Sequence, residues 1–325
     1  MRVLVTGASG FIGQHVVQRL LARGHQVVAT TRGDNYMEDQ NGVIVIRNLD
    51  LGIHNLASIL ENCNAVVHCA ARAAPWGRRR QFLQDNVVAT QRLIDAARDA
   101  GSVRRFIFLS TPSIYFRFAD QENIGEEFSP PTNWVTHYAE TKWLAECIAL
   151  KARELGPIAL RPRAVFGTGD RAIVPRLLAV ARSGYFPLPN QGKARIDVTC
   201  VDNVVDAVEL ALSASVSAEG YAYNISNGTP VVVRDLLERL FEILGCNVQF
   251  IPFSRSVGLG IAAVIESVAG MLPGNPEPRI TRYGIGLLGF SQTLDISKAQ
   301  RELGYAARVS IDDGLEYYAR WWKSQ

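Results

Sequence analysis

The strongest constraint on the fold lies at the start of the chain. There Val3-Leu4-Val5-Thr6-Gly7-Ala8-Ser9-Gly10-Phe11-Ile12-Gly13 joins a short β-branched run to an amphipathic stretch through a glycine-rich turn. Phe11, Ile12, Val16, Val17, Leu20 and Leu21 then recur at helical spacing. A strand feeding a helix through such a turn aims backbone N–H groups and the helix dipole at one spot, which suits a phosphate. Gly7 permits the turn, Gly10 lets backbone approach a pyrophosphate, and Gly13 lets the helix lie close on the sheet. Ser9, Phe11 and Ile12 share the turn and join the glycines as candidate dinucleotide contacts. The spacing is G-x-x-G-x-x-G, and any tight strand-to-helix turn wants glycine. Its place at the head of a mononucleotide-binding half weighs against a merely structural turn.

Strand-like runs over 2–5, 26–30, 43–46, 65–69, 105–109 and 158–160 alternate with helical stretches. The helices are predicted over 11–22, 54–61, 79–100, 136–154 and 172–183. Such alternation means an α/β fold, a doubly wound parallel sheet of the Rossmann type with helices on both faces. Gly24, Gly101 and Gly156 fall just past helices, where a left-handed cap is wanted. After about residue 165 the pattern loosens, and Pro187, Pro189, Pro230, Pro252, Pro273, Pro276 and Pro278 interrupt it. Residues 1–165 are therefore read as a dinucleotide-binding domain and 166–325 as mainly a smaller, mixed substrate-binding region. The two interleave, because 204–212 and 233–244 still read as helices and elements around 195–230 return to the first domain.

A net charge of +3 gives no reason to expect a nucleic-acid partner. The short basic run Arg78-Arg79-Arg80 reads as a solvated helix start. Cys63, Cys69, Cys147, Cys200 and Cys246 show neither C-x-x-C nor zinc spacing, so no metal site is expected and the thiols suit a reducing compartment. Met1 leads directly into the first strand without a signal peptide, so the expected location is cytoplasmic. The apolar stretch 257–272 contains Glu266 and several glycines and is too interrupted for a membrane span. It reads as a substrate-pocket helix or an interfacial patch, which would allow peripheral membrane contact.

Further cofactor signals follow the glycine turn. A cofactor with a free ribose 2′-OH wants an acid at the end of the second strand, and this chain offers Thr30-Thr31-Arg32 instead. Thr31 and Arg32 can hold a 2′-phosphate, which favours NADP(H); Asp34 nearby keeps NAD(H) as the alternative. Asp50 and Leu51 follow the third strand, where a carboxylate can accept from an adenine amino group. Ala70 and Ala71 end the fourth strand with small side chains that admit a cofactor. Asn86 reads either as an interior residue supporting backbone near the site or as a solvated helix residue.

Tyr138 and Lys142 stand four apart on one helix face. A phenol near pKa 10 is a poor base, and an adjacent cation would stabilise its phenolate. Tyr138 could then exchange a proton with a substrate oxygen while hydride moves at the adjacent carbon, with Lys142 also reaching a nicotinamide ribose. The strand ending in Leu109-Ser110-Thr111-Pro112-Ser113 offers hydroxyls to orient a carbonyl beside the tyrosine. Thr111 is favoured for that role, with Ser110 second; the competing reading is a Ser/Thr turn that caps the strand.

Taken together, T-G-A-S-G-F-I-G, Asp50, Asn86, Ser110-Thr111, Tyr138/Lys142 and Leu160-Arg161-Pro162-x-x-Val165-Phe166-Gly167-x-Gly169-Asp170 resemble an extended short-chain dehydrogenase/reductase over almost the full length. The resemblance implies a nicotinamide cofactor, with Thr111, Tyr138 and Lys142 in the roles above and Pro162 among the cofactor contacts. It also implies a homodimer through helices 79–100 and 136–154. Ser110 to Phe116 lacks the Tyr-Gly usual in nucleotide-sugar enzymes, and Val201-Asp202-Asn203 resembles the 3β-hydroxysteroid dehydrogenase/isomerase branch. His68 to Gly77 and Ser110 to Ser113 are similar to bacterial 2-alkyl-3-oxoalkanoate reductases and sterol dehydrogenases.

The expected activity is interconversion of a secondary alcohol and a ketone on a hydrophobic small molecule, steroid-like or 3-oxoacyl. Trp76, Phe82, Trp134, Tyr185, Phe186 and the 257–272 helix are candidate pocket walls, each also readable as ordinary core. Arg163 and Arg195 are candidates for a carboxylate or phosphate, or for plain ion pairs. The rival readings are a nucleotide-sugar epimerase or dehydratase, and a binding protein that senses NADP(H) without turnover.

Overall fold

Seven parallel strands form the central sheet of the computed structural model, which describes residues 1–33, 42–127, 129–131 and 133–325. Their spatial order is Tyr221–Ile225, Pro157–Pro162, Arg105–Leu109, Ala65–His68, Arg2–Thr6, Gln26–Thr30 and Val43–Ile46. The direction of winding reverses between Arg2–Thr6 and Ala65–His68, and a crevice at the carboxyl ends of such strands is where open α/β sheets bind ligands.

The two-residue period of the strands divides the core in two. Val3, Val5, Val27, Ala29, Val67, Ile107 and Leu109 pack on one face, with Val16, Val17 and Leu20 of helix Phe11–Ala22 and the inner side of Val201–Leu212. Leu4, Val28, Val66, Phe106 and Phe108 pack on the other, against Leu93, Ile94 and Ala97 of Ala89–Ala100 and Ala145 and Ala149 of His137–Lys151. Strands buried on both sides explain the nearly unbroken apolar runs in the sequence.

Several boundaries differ from expectation, each for a local reason. The predicted helix 79–100 is Arg79–Phe82, a wider π-helical turn over Leu83–Val88, and then Ala89–Ala100. The helix predicted over 54–61 is the single turn Ala57–Leu60. The helix predicted over 172–183 starts later, at Val174, because the Asp170 carboxylate accepts from the N–H groups of Ala172, Ile173 and Val174. Thr136 caps His137–Lys151 through the Ala139 N–H at 3.1 Å. Gly24, Gly101 and Gly156 adopt φ of 76°, 64° and 55°, the left-handed caps that were expected.

The later chain builds a four-stranded sheet in the order Val231–Val232, Arg195–Ile196, Gln292–Leu294 and Gln121–Ile124. A separate pair joins Tyr185–Pro189 to Gln249–Phe253. Pro187, Pro189 and Pro252 lie inside that pair, a setting where a missing ladder donor is tolerated. A third core gathers Phe186, Leu188, Leu237, Phe241 and Tyr318.

Helix Arg255–Met271 buries Gly258, Ala262 and Ala269 and turns Val257, Ile261, Val264 and Val268 to solvent. Its large apolar side chains therefore form an outward stripe. No helix among the described residues is long and apolar enough to cross a membrane.

Candidate active site

The glycine turn forms a cradle that side chains would fill. Gly7 has φ of 65°, and a Cβ there would come within 2.7 Å of the Ala70 backbone. At Gly13 a Cβ would lie 2.2 Å from the Gly7 carbonyl oxygen. Gly10 precedes the first helix without a side-chain cap, so the first-turn amides keep their positive end open to an anion. These are the features a dinucleotide pyrophosphate needs.

The walls of the cradle are tied together by side chains that the sequence had marked. Thr31 Oγ1 donates to Ser9 Oγ at 2.9 Å, linking the second strand end to the glycine turn. Arg32 is more than half exposed at that strand end and reaches Asp85 at 3.3 Å, while Arg72 holds the same carboxylate at 2.8 Å. Asp34 lies outside the described residues. One Asp50 oxygen accepts from the Gly52 N–H at 2.8 Å, and Leu51 beside it is buried. Phe11 packs edge-on to His15, whose Nε2 meets the Thr168 carbonyl at 2.7 Å. Ile12 packs on the first core, and Pro162 pairs with Ile225 at the end of its strand.

Asn86 is interior. Its Oδ1 accepts from the Arg72 N–H at 2.7 Å, and its Nδ2 donates to Thr141 Oγ1 at 3.0 Å. It thereby joins the loop after Ala70 and Ala71 to the helix bearing Tyr138, and it sits in the π-helical turn. His68 bridges Thr6 (2.6 Å) and Thr90 (2.9 Å) below this loop. Burial pushes its pKa down to about 3, so the imidazole is neutral.

The reactive hydroxyls form a chain. The Thr111 hydroxyl acts on the Tyr138 phenol and favours its ionised form. Thr111 Oγ1 donates to Ser113 Oγ at 3.0 Å and accepts from the Ser113 N–H at 3.1 Å. Ser113 Oγ in turn stands 2.8 Å from the Tyr283 phenol oxygen. Thr111 thus caps the turn Pro112–Tyr115, so the capping reading is realised. Ser110 Oγ is buried and has no hydrogen-bond partner among the described residues.

Burial pushes the Tyr138 phenol up to about 12, against the pull of Thr111. Lys142 was expected to lower it, but its Nζ donates to the Leu109 carbonyl at 2.6 Å and lies 4.0 Å over the Phe108 ring. Desolvation outweighs the Glu146 charge and brings Lys142 down to about 7. A buried ammonium takes the nearest strong acceptor, which here is a strand-end carbonyl.

The proposed pocket walls separate clearly. Phe82 and Phe186 are core residues, and Tyr185 is exposed. Trp134 packs on the first core, while Trp76 Nε1 donates to the Asn275 carbonyl at 3.2 Å and ties the active-site loop to the later chain. Arg195 pairs with Glu122 at 3.4 Å. Sequence reasoning missed Tyr283 and the bridging role of Ser113, because no local spacing connects residues so far apart in the chain.

An uncapped, glycine-walled helix start beside a Thr–Tyr–Lys set defines an NAD(P)-dependent oxidoreductase of the extended short-chain type. The chain belongs to the NAD dependent epimerase/dehydratase family, whose model matches residues 3–226. It is 36% identical over 334 residues to a 2-alkyl-3-oxoalkanoate reductase of Stenotrophomonas maltophilia, covering 97% of each chain. It is 30% identical to the sterol-4-alpha-carboxylate 3-dehydrogenase (decarboxylating) of Homo sapiens, covering 97% of this chain and 86% of that one. Among solved structures, MoeE5 in complex with UDP-glucuronic acid and NAD matches with a TM-score of 0.79 at 29% identity, over 100% of this chain and 99% of that one. These relatives bear out the 3β-hydroxysteroid dehydrogenase-like branch.

Proposed function

We propose that this protein is a ketoreductase that interconverts a secondary alcohol and a ketone on an apolar substrate, with NADP(H) as its preferred cofactor. The observation that carries the reading is the glycine cradle at the head of the first helix, in one fold with a Thr111 hydroxyl that acts on the Tyr138 phenol. A bound nicotinamide dinucleotide supplies or accepts the hydride. Gly7, Ser9, Gly10, Phe11, Ile12 and Gly13 hold its pyrophosphate, Thr31 and Arg32 its 2′-phosphate, and Asp50 and Leu51 its adenine end. Ala70, Ala71 and Pro162 border the nicotinamide end, and Asn86 fixes the loop between them.

In this reading Thr111 donates to the substrate oxygen and Tyr138 gives or takes the proton there. Ser110, whose hydroxyl has no partner among the described residues, is the second donor available. Lys142 would hold the ribose of a bound dinucleotide. Burial keeps the Tyr138 phenol protonated, so it has a proton to give to a developing alkoxide.

The same reading assigns 166–325 mainly to substrate binding. It includes a homodimer through helices 79–100 and 136–154, where Val88 and Leu144 are exposed. It also includes peripheral membrane contact through the outward stripe of 257–272. A cytoplasmic location accords with the five free cysteines. The test is NADPH and NADH oxidation over long-chain 3-oxo acids, 3-oxosteroids and nucleotide 4-keto sugars. Turnover on an apolar ketone supports the proposal, and turnover on a sugar nucleotide alone contradicts it.

A further inference from the structure

Arg163 follows the strand Pro157–Pro162, and its N–H donates to the Ile225 carbonyl at 3.1 Å. That places it at the carboxyl edge of the sheet, one strand over from Ser110, whose N–H donates to the Leu160 carbonyl at 2.7 Å. Arg163 is only 5% exposed. Its Nε has no hydrogen-bond partner, and no ion pair of Arg163 forms among the described residues. A desolvated guanidinium without a carboxylate is costly to keep, and such a group calls for an explanation.

Its surroundings point to one. The ionisable groups that act on it are Tyr283 and Asp197. Asp197 is already engaged, accepting from Ser226 Oγ at 2.9 Å and from the Leu294 N–H at 2.7 Å. Tyr283 is the phenol that closes the hydroxyl chain through Ser113 to Thr111, and it is one of the ionisable groups that act on both Tyr138 and Arg163. Arg163 therefore lies at the same carboxyl edge of the sheet as Ser110 and the Thr111–Ser113–Tyr283 hydroxyl chain. The neighbouring Arg161 shows the contrast: the Glu146 carboxylate grips it through two nitrogens.

We propose that Arg163 is the anion-binding residue of the substrate pocket and takes a carboxylate carried beside the reacting carbonyl. This rests on the ketoreductase reading and extends it to apolar 3-oxo acids and their 3-hydroxy counterparts. A guanidinium presents two parallel N–H groups that match the two oxygens of a carboxylate. The anion then fixes which carbon faces the hydride, while the apolar tail leaves the other side free to vary.

The test compares 3-hydroxytetradecanoate with its methyl ester and with 2-tridecanol, the same alcohol without the carboxylate, each oxidised with NADP⁺. The parent, Arg163→Lys and Arg163→Met are assayed, with thermal melts of each. The inference predicts that Arg163→Met lowers the ratio of kcat/KM for the acid over 2-tridecanol by about tenfold or more, mainly through KM. Arg163→Lys should retain part of that preference, and Arg163→Met should melt no lower than the parent. An unchanged ratio in a folded Arg163→Met protein would overturn the inference and leave the ketoreductase reading standing. Failure of the parent to oxidise or bind any of the three compounds would overturn both.

Discussion

The Ser113 hydroxyl and the Tyr283 phenol, contributed by distant parts of the chain, meet at 2.8 Å. Through Ser113 this contact reaches Thr111, so the later chain braces the hydroxyl proposed to orient the substrate. Tyr283→Phe should lower kcat about tenfold with little change in KM, while stability falls by about 1 kcal/mol. Steady-state kinetics beside urea melts would check this. A stability loss with unchanged kcat would reduce Tyr283 to a packing residue.

Lys142 makes folding stability depend on pH. Burial brings its folded pKa to about 7, below the unfolded value of 10.5. Between those values the unfolded chain binds more protons, so this contribution raises stability as pH rises. The parent should therefore gain on Lys142→Met as pH is taken from about 6.5 to about 9.5, as urea midpoints would show. A constant difference would mean that the lysine is solvated in the folded state.

Gly13 is the tightest point of the cradle, with a Cβ position 2.2 Å from the Gly7 oxygen. Gly13→Ala must push the first helix away from the glycine turn and should cost roughly 2–3 kcal/mol. Cofactor affinity should fall with it. Denaturation and NADPH titration together test this, and an unperturbed Kd would contradict the cradle.

Arg32 sets the cofactor preference in this account. Its pair with Asp85 is exposed, and Asp85 keeps Arg72 when Arg32 is replaced, so the structural cost is small. Arg32→Asp should lower the ratio of kcat/KM for NADPH over NADH by about tenfold or more. An unchanged ratio would remove Arg32 from the cofactor site.

What the sequence revealed was local. The glycine turn, the strands buried on both faces and the Tyr138–Lys142 spacing are each written within one element or one connection, where period and turn chemistry decide the outcome. The π-helical turn was not legible, because residues 79–100 carry an ordinary helical pattern. The destination of Lys142 was hidden too, since the Leu109 carbonyl that captures it lies on another strand. Arg195 and Arg163 looked alike in the sequence; Glu122 pairs one, and nothing among the described residues pairs the other. The 257–272 helix showed its composition but not which side would face out.

The central claim is that Tyr138 moves the proton at an apolar ketone. The measurement that tests it most directly is NADPH oxidation with such a ketone by the parent and by Tyr138→Phe, together with NADPH affinity for both. The account predicts a loss in kcat of about a hundredfold or more with cofactor affinity essentially retained. Undiminished turnover by Tyr138→Phe would contradict it.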